Sequence, residues 1–476
     1  MNAMTFRALI FTTVLNLVAV LHPVGAAETV PPLFIEGYAA QQSYAPGEEA
    51  AVHVSTSAAK YSVEIVRIGA QTNLVWSKRD LPGKEYPVPD DASSMGCRWP
   101  ESFRVPVAKD WKSGYYAVRF RAEDSGGRWS QRGRRSAESE AFFVVRSAEP
   151  GKTSKILLQL AANTYNAYNN WGGFSVYAYN SLGKNQGSRV SFERPPAPQF
   201  RNWELPFIQW AERNGYALDF AINSDLEFRP ELLSKYKLVL SVGHDEYWSG
   251  PMRDNLEKYI AGGGNVAFFS GNSVCWQVRT EDDGRAFTCF KQNYFQDPVW
   301  KTGDFKTLST AWSHHLLKRP ENSLTGVGFL QGGYRKSHGQ FMNDPAEYTV
   351  HRADHWVFEG TGVNRDDKFG DKDTIVGYEC DGCELEWKNG LPFPTYKDGT
   401  PKTFTVLATC PVRWHPDDAE WYERWEKGRT GNACLGVYTQ GGTVFTSGST
   451  DWAHGLRGGD KIVDRMTRNI LERLGK

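Results

Sequence analysis

The stretch Lys237-Leu238-Val239-Leu240-Ser241-Val242-Gly243-His244-Asp245-Glu246-Tyr247-Trp248 decides how the larger part of the chain is read. Residues 237–242 have the composition of a strand, and from Ser249 onward the pattern switches to a helical period. Ser249 stands at an N-cap position, Pro251 falls in the first turn, and Met252, Leu256 and Ile260 share one face. Gly262-Gly263-Gly264 stops that helix, and residues 265–270 form the next strand. Upstream, residues 155–160 read as a strand, 205–214 as a helix closed by Gly215, and 216–222 as another strand. Strand, helix, strand in this order predicts an α/β three-layer domain built on a parallel sheet with right-handed crossovers, spanning 153–476.

Before it the rhythm is different. Residues 31–146 carry short alternating runs, such as Tyr61-Ser62-Val63-Glu64-Ile65-Val66 and Tyr116-Ala117-Val118-Arg119-Phe120, separated by turn clusters such as Ala45-Pro46-Gly47. That pattern predicts an immunoglobulin-like β-sandwich, of a generic kind because no Cys…Trp…Cys signature is present. Residues 147–152 make the linker. The first 26 residues read as a signal peptide: Arg7 is the positive start, 8–20 is apolar, and Val24-Gly25-Ala26 offers a cleavage site. The apolar run is shorter than the roughly 20 residues a membrane span needs. The expectation is an exported protein, periplasmic or secreted, with no membrane span.

Lys and Arg together number 55, and Asp and Glu also number 55, so no basic excess points to nucleic acid. With 26 Phe, 21 Tyr and 17 Trp in 476 residues, the chain has ample material for a packed core. Seven cysteines in an exported chain suggest disulfides, and Cys380-Asp381-Gly382-Cys383 suggests a local one. Zinc would want a second such pair at suitable spacing, and the chain has none.

In open parallel sheets, ligands bind beyond the carboxyl ends of the strands, where the strand order reverses. Three loops should meet there: the aromatic segment 164–173, the segment 243–248, and Gly271-Asn272-Ser273. The last lacks the Gly-x-Ser-x-Gly pattern of a nucleophile elbow. In an extended segment His244 and Glu246 face the same way, as either a metal-ligand pair or an acid–base pair. A helix-capping network and a glycosidase pair of Glu246 with Glu379 stay open as alternatives. His314-His315 lacks an acidic partner in register and reads as ordinary loop histidines.

Several segments, in order, resemble the N,N-dimethylformamidase large-subunit family. They are Ser113-Gly114-Tyr115-Tyr116-Ala117, Thr164-Tyr165-Asn166-Ala167-Tyr168, the 243–248 loop, Phe268-Phe269-Ser270-Gly271-Asn272, Gly377-Tyr378-Glu379 and Gly448-Ser449-Thr450-Asp451-Trp452. The resemblance implies a catalytic domain like that of class I glutamine amidotransferases. It also implies hydrolysis of a small amide at a mononuclear ferric iron held by two tyrosines and one glutamate. On this chain those ligands would be Tyr116, Tyr168 and Glu246. Tyr165 competes with Tyr168, and Tyr116 competes with its own reading as a sandwich-core residue. Glu379 would be the general base, with His244 and Asn272 orienting substrate or stabilising an oxyanion. A free phenol ionises near pH 10, so paired tyrosinates call for a strongly Lewis-acidic cation, and ferric iron suits them better than zinc.

The leading expectation is thus an exported iron-dependent hydrolase of linear amide C–N bonds, acting on a small-molecule amide. A carbohydrate-active or glycan-binding protein, and a catalytically silent member serving as an interaction module, are the alternatives. A homo-oligomer is left open, and no nucleic-acid partner is expected.

Overall fold

The computed structural model describes residues 32–124, 135–335, 346–414 and 429–476. The expected signal peptide, residues 1–26, lies outside them. Two sheets open the described chain. One has three antiparallel strands, ordered Ile35–Ala39, Glu49–Thr56 and Phe103–Pro106. The other has five, ordered Ser43–Tyr44, Arg135–Val145, Gly114–Asp124, Lys60–Ile68 and Thr72–Pro82. They enclose one core to which Val52 and Val54 contribute from the first sheet, and Val63, Ile65, Tyr116, Val118 and Phe120 from the second.

The five-stranded sheet is also covered on its other side. Side chains alternate along a strand, and Gly114–Asp124 shows the consequence. Tyr116, Val118 and Phe120 point into the two-sheet core, while Tyr115 and Ala117 join the core of the rest of the chain. Tyr115 stacks on Phe200 with ring centroids 3.8 Å apart.

The larger sheet has nine strands, ordered Asp219–Ile222, Ile156–Leu160, Leu238–His244, Asn265–Gly271, Gly442–Thr446, Thr430–Gln440, Thr405–Arg413, Tyr348–Val350 and Lys368–Phe369. The first five run parallel, and the remaining pairings are antiparallel. The sheet is therefore mixed rather than wholly parallel, and the protein is β-rich with few helices. Helices cover both faces of the parallel part. On one side Glu204–Arg213 contributes Phe207, Ile208 and Ala211, and Lys461–Leu474 contributes Val463, Met466 and Ile470. On the other, Gly250–Ala261 contributes Met252, Leu256 and Ile260.

Local signals explain these boundaries. Ser249 caps its helix by accepting from the Met252 N–H, as the sequence predicts. Helix Glu204–Arg213 stops before Gly215, whose φ of +80° suits glycine. The predicted loop 164–173 is in part a helix, Ala162–Tyr168. The predicted local disulfide is not formed: all seven cysteines are buried thiols. Cys380 and Cys383 flank strand Cys380–Gly382 and enter different core clusters, so their thiols do not face each other.

Strand order places the site. From Ile156–Leu160 the chain moves outward to Asp219–Ile222, then returns to lay Leu238–His244 on the opposite side of Ile156–Leu160. Segments leaving the carboxyl ends of Ile156–Leu160 and Leu238–His244 therefore diverge and leave a crevice between them. Helix Ala162–Tyr168 and the residues from His244 onward line that crevice. Among the described residues no helix is long and apolar enough to cross a membrane.

Candidate active site

His244 is the last residue of its strand, and Glu246 lies two residues on. The extended backbone sends both side chains into the crevice. Asp245 turns the other way, accepting from the Asn223 amide at 3.0 Å and the Ser241 hydroxyl at 2.9 Å. The Glu246 amide is fixed by the Thr164 hydroxyl at 2.9 Å, which ties the loop to helix Ala162–Tyr168.

That helix turns Tyr168 toward Glu246 Oε2, to which its hydroxyl donates at 3.2 Å. Tyr165, one turn earlier, points into the core and donates to Glu204. Tyr168, and not Tyr165, is therefore the tyrosine of this segment that reaches the site. A second tyrosine arrives from a residue that the sequence reading did not single out. The Tyr177 hydroxyl donates to Glu246 Oε2 at 3.0 Å and Oε1 at 3.2 Å, and accepts from the Tyr247 hydroxyl at 2.7 Å. The signal was present as another aromatic in the segment after the first strand, but spacing gave no reason to prefer it.

Tyr116 is not brought there. It is sealed in the two-sheet core, stacked between Trp111 and Phe143, with its hydroxyl donating to the Lys112 carbonyl at 2.6 Å. Strand parity decides this, because its neighbour Tyr115 takes the face toward the second core. Of the expected ligands Tyr116, Tyr168 and Glu246, the last two meet and the first does not.

Glu379 and Asn272 complete the cluster. His244 Nε2 lies 2.8 Å from Glu379 Oε2 and 3.2 Å from Glu246 Oε2. Asn272 Nδ2 donates to Glu246 Oε1 at 3.2 Å and to Glu379 Oε2 at 3.1 Å, bridging the two carboxylates. Trp276 Nε1 donates to Glu246 Oε1 at 2.7 Å. The turn that presents Asn272 is strained, with φ of +47° at Asn272 and +58° at the β-branched Val274. It is clamped by Asp381, which accepts the Asn272 and Ser273 N–H groups at 3.0 Å each. Gly271 lets the chains close in: a Cβ there would stand 2.3 Å from the Glu379 carbonyl oxygen and 2.5 Å from the Thr450 nitrogen. Asp451 accepts from Trp203 Nε1 at 2.8 Å and the Tyr378 N–H at 2.9 Å, supporting two rings beside His244.

Charge is balanced within this buried group. Burial alone would lower the His244 value, but Glu379 and Glu246 outweigh it and push the imidazole up to about 10. Burial raises Glu246, yet His244, Lys291 and Trp276 together hold it below the usual carboxylate range. Burial brings Lys291 down to about 8, and its ammonium sits 3.3 Å from the centroid of the Tyr177 ring. Burial, then the Glu246 charge, pushes the Tyr168 and Tyr177 hydroxyls well above 10, so both are neutral donors here.

An iron ion here would meet phenol and carboxylate oxygens. Among the described residues no group of three or more His, Cys, Asp and Glu side chains is arranged to hold a metal. An ion at this site would depend on the phenols. Around a cation with bonds of about 2.1 Å, adjacent ligand oxygens stand about 3 Å apart. The Tyr168 and Tyr177 oxygens each lie 3.0–3.2 Å from a Glu246 oxygen. His244 Nδ1 and Asn272 Oδ1 are buried with no hydrogen-bond partner, so the cluster is not saturated internally. These residues fit the ion. They border a cavity of about 160 Å³, whose wall also carries Phe329, Leu330, Tyr334 and Trp414.

Residues 62–466 match the family described as N,N-dimethylformamidase beta subunit-like, C-terminal, and the chain belongs to that family. It is similar to the N,N-dimethylformamidase beta subunit of Paracoccus aminophilus, 24% identical over 441 residues, covering 80% of this chain and 55% of that protein. The subunit of the same name from an Alcaligenes species matches with the same identity and coverage. The chain spans about half the length of the curated relatives it matches. A solved β-D-glucuronidase from Dictyoglomus thermophilum aligns at 8% identity and a TM-score of 0.13, over 50% of this chain and 44% of its own, and carries no argument.

Proposed function

We propose that this member of the N,N-dimethylformamidase beta subunit-like family hydrolyses the C–N bond of small linear amides, with a mononuclear ferric iron held by Tyr168, Tyr177 and Glu246. The observation that carries the reading is the convergence of two phenol hydroxyls on one carboxylate at the edge of a cavity. When bound, the ion supplies Lewis acidity toward an amide carbonyl and toward water.

The chain's own residues handle the protons. Water adds to the carbonyl carbon, and Glu379 takes its proton. The C–N bond then breaks as that proton passes to the departing nitrogen, giving a carboxylic acid and an amine. His244 and Asn272 each touch both carboxylates, which fixes Glu379 relative to Glu246. The aromatic walls thin out water around the reacting groups and strengthen these contacts. The same bridges speak against a glycosidase pair, since His244 and Asn272 fill the space a sugar ring would need between the carboxylates.

The leading two-sheet module, 31–146, is read as immunoglobulin-like. The α/β part, 153–476, is read as glutamine amidotransferase-like, joined to the first by residues 147–152. Export after removal of residues 1–26 belongs to the same proposal. Metal analysis with visible spectroscopy tests the central claim: tyrosinate–ferric coordination gives a broad visible charge-transfer band. Stoichiometric zinc, or no metal in carefully purified protein, would reject it.

A further inference from the structure

The cavity holds a third carboxyl, Glu321, for which the proposed chemistry has no use. Its side chain is buried, and neither carboxylate oxygen has a hydrogen-bond partner beyond the residue's own backbone N–H. Buried polar groups are normally satisfied, and a carboxyl so short of bonds calls for a donor from elsewhere. The position is built rather than accidental. Glu321 precedes the short helix Asn322–Thr325, and its Oε1 lies against Gly328, where a Cβ would stand 2.6 Å away.

The surrounding charges say which donor suits it. Burial is the largest influence, raising the carboxyl to about 8; among the nearby charges Asp381 and Asp398 raise it further, and Arg253 alone opposes them. The site therefore holds the carboxyl protonated near pH 7, and a cation beside it would favour the ionised form. Glu321 lines the same cavity as Glu246 and Glu379. The Cys275 thiol in the wall feels Glu321 together with Glu246 and Glu379. Phe329, Leu330 and Trp414 supply an apolar and aromatic wall, with Phe329 and Trp414 centroids 4.5 Å apart. Such a wall can pack a short carbon chain and attract an ammonium through its ring faces.

We infer that Glu321 is a substrate-recognition residue, and that the cavity takes small linear amides carrying a protonated amino group, whose N–H bonds Glu321 accepts. The inference rests on the amide-hydrolase reading for the other end of the molecule. A dialkylformamide would offer this carboxyl no N–H at all.

The test uses the full purified chain with β-alaninamide and its uncharged isostere butanamide, measuring calorimetric Kd and kcat/KM for both. β-Alaninamide is expected to be favoured by at least about ten-fold, as a charge-assisted hydrogen bond would give. In Glu321→Gln and Glu321→Leu that ratio should fall by about ten-fold or more. Equal handling of the two amides by the unaltered chain overturns the subsite, whether or not either variant folds, and so does an unchanged ratio in folded variants. Selective binding of β-alaninamide without cleavage of either amide keeps the subsite and overturns the hydrolase reading. Cleavage of both without preference does the reverse.

Discussion

The Tyr177 hydroxyl donates to both oxygens of Glu246, across a separation of 69 residues, at 3.0 and 3.2 Å. That contact replaces the expected one from Tyr116 and completes a two-tyrosine, one-carboxylate group with Tyr168. Behind the Tyr177 ring lies the Lys291 ammonium, and beside its hydroxyl lies Tyr247. Tyr177 is held on three sides.

Removing the phenol oxygens should separate the proposed ligands Tyr168 and Tyr177 from Tyr116. Tyr168→Phe and Tyr177→Phe are each expected to lose the visible charge-transfer band and most bound iron. Tyr116→Phe should keep both and lose only about 1 kcal/mol of stability with its bond to the Lys112 carbonyl. Metal content and absorbance of the three variants decide it. Retention of the band in Tyr177→Phe would remove Tyr177 from the ligand set.

Glu379 is expected to act on protons rather than to hold the ion. Glu379→Gln should retain iron and its spectrum while amide turnover drops by roughly 10²–10⁴-fold, the usual range for losing a general base. Single-turnover kinetics on iron-loaded protein measure this. Full activity would end the assignment.

The buried carboxyl of Glu204, held up to about 7 by burial against an ordinary 4.5, makes stability depend on pH. Between those values the folded chain keeps a proton that the unfolded chain has released. This contribution is fully present below about pH 4.5 and is lost as pH rises through about 7, on the order of 3 kcal/mol in all. Glu204→Gln should flatten that part of the profile. Urea unfolding at several pH values between 4 and 8 reads the slope directly.

Gly271 leaves no room for a side chain between the strand it ends and the segments carrying Glu379 and Thr450. Gly271→Ala should cost about 1–3 kcal/mol through overpacking. It should also displace the Glu379 backbone, so that turnover falls further than stability alone explains. Thermal unfolding together with kcat measures both. A variant as stable and active as the parent would contradict the close approach.

Thiol counting checks the cysteine chemistry. All seven cysteines are buried thiols. A colorimetric thiol reagent should therefore find none in the native chain and seven after unfolding without reductant. A count of five would reveal one disulfide, and Cys383 with Cys434 is the pair in contact.

Much of this architecture comes from local pattern. Apolar runs, helix periods, the Ser249 cap and the Gly215 stop were legible because each depends on residues within a few positions of one another. The sharing of one direction by His244 and Glu246 was legible for the same reason, since alternation along an extended chain is a local rule. The segments after residue 346 gave weaker signals. Their antiparallel strands pair with partners distant in sequence, and the expectation of a wholly parallel sheet missed them.

By itself the sequence determined the switch from alternating strands to strand, helix, strand, the loops beyond the ends of the parallel strands, and Glu246 with Tyr168 among its candidates. Tertiary structure alone decided which aromatic joined them. The two faces of strand Gly114–Asp124 both read as apolar, and only the packing of two cores against them sends Tyr116 one way and Tyr115 the other. Tyr177 and Glu321 gain their meaning from neighbours brought together across the chain. Those contacts exist only after folding, because proximity in space between distant residues is a property of the packed whole and leaves no spacing to read.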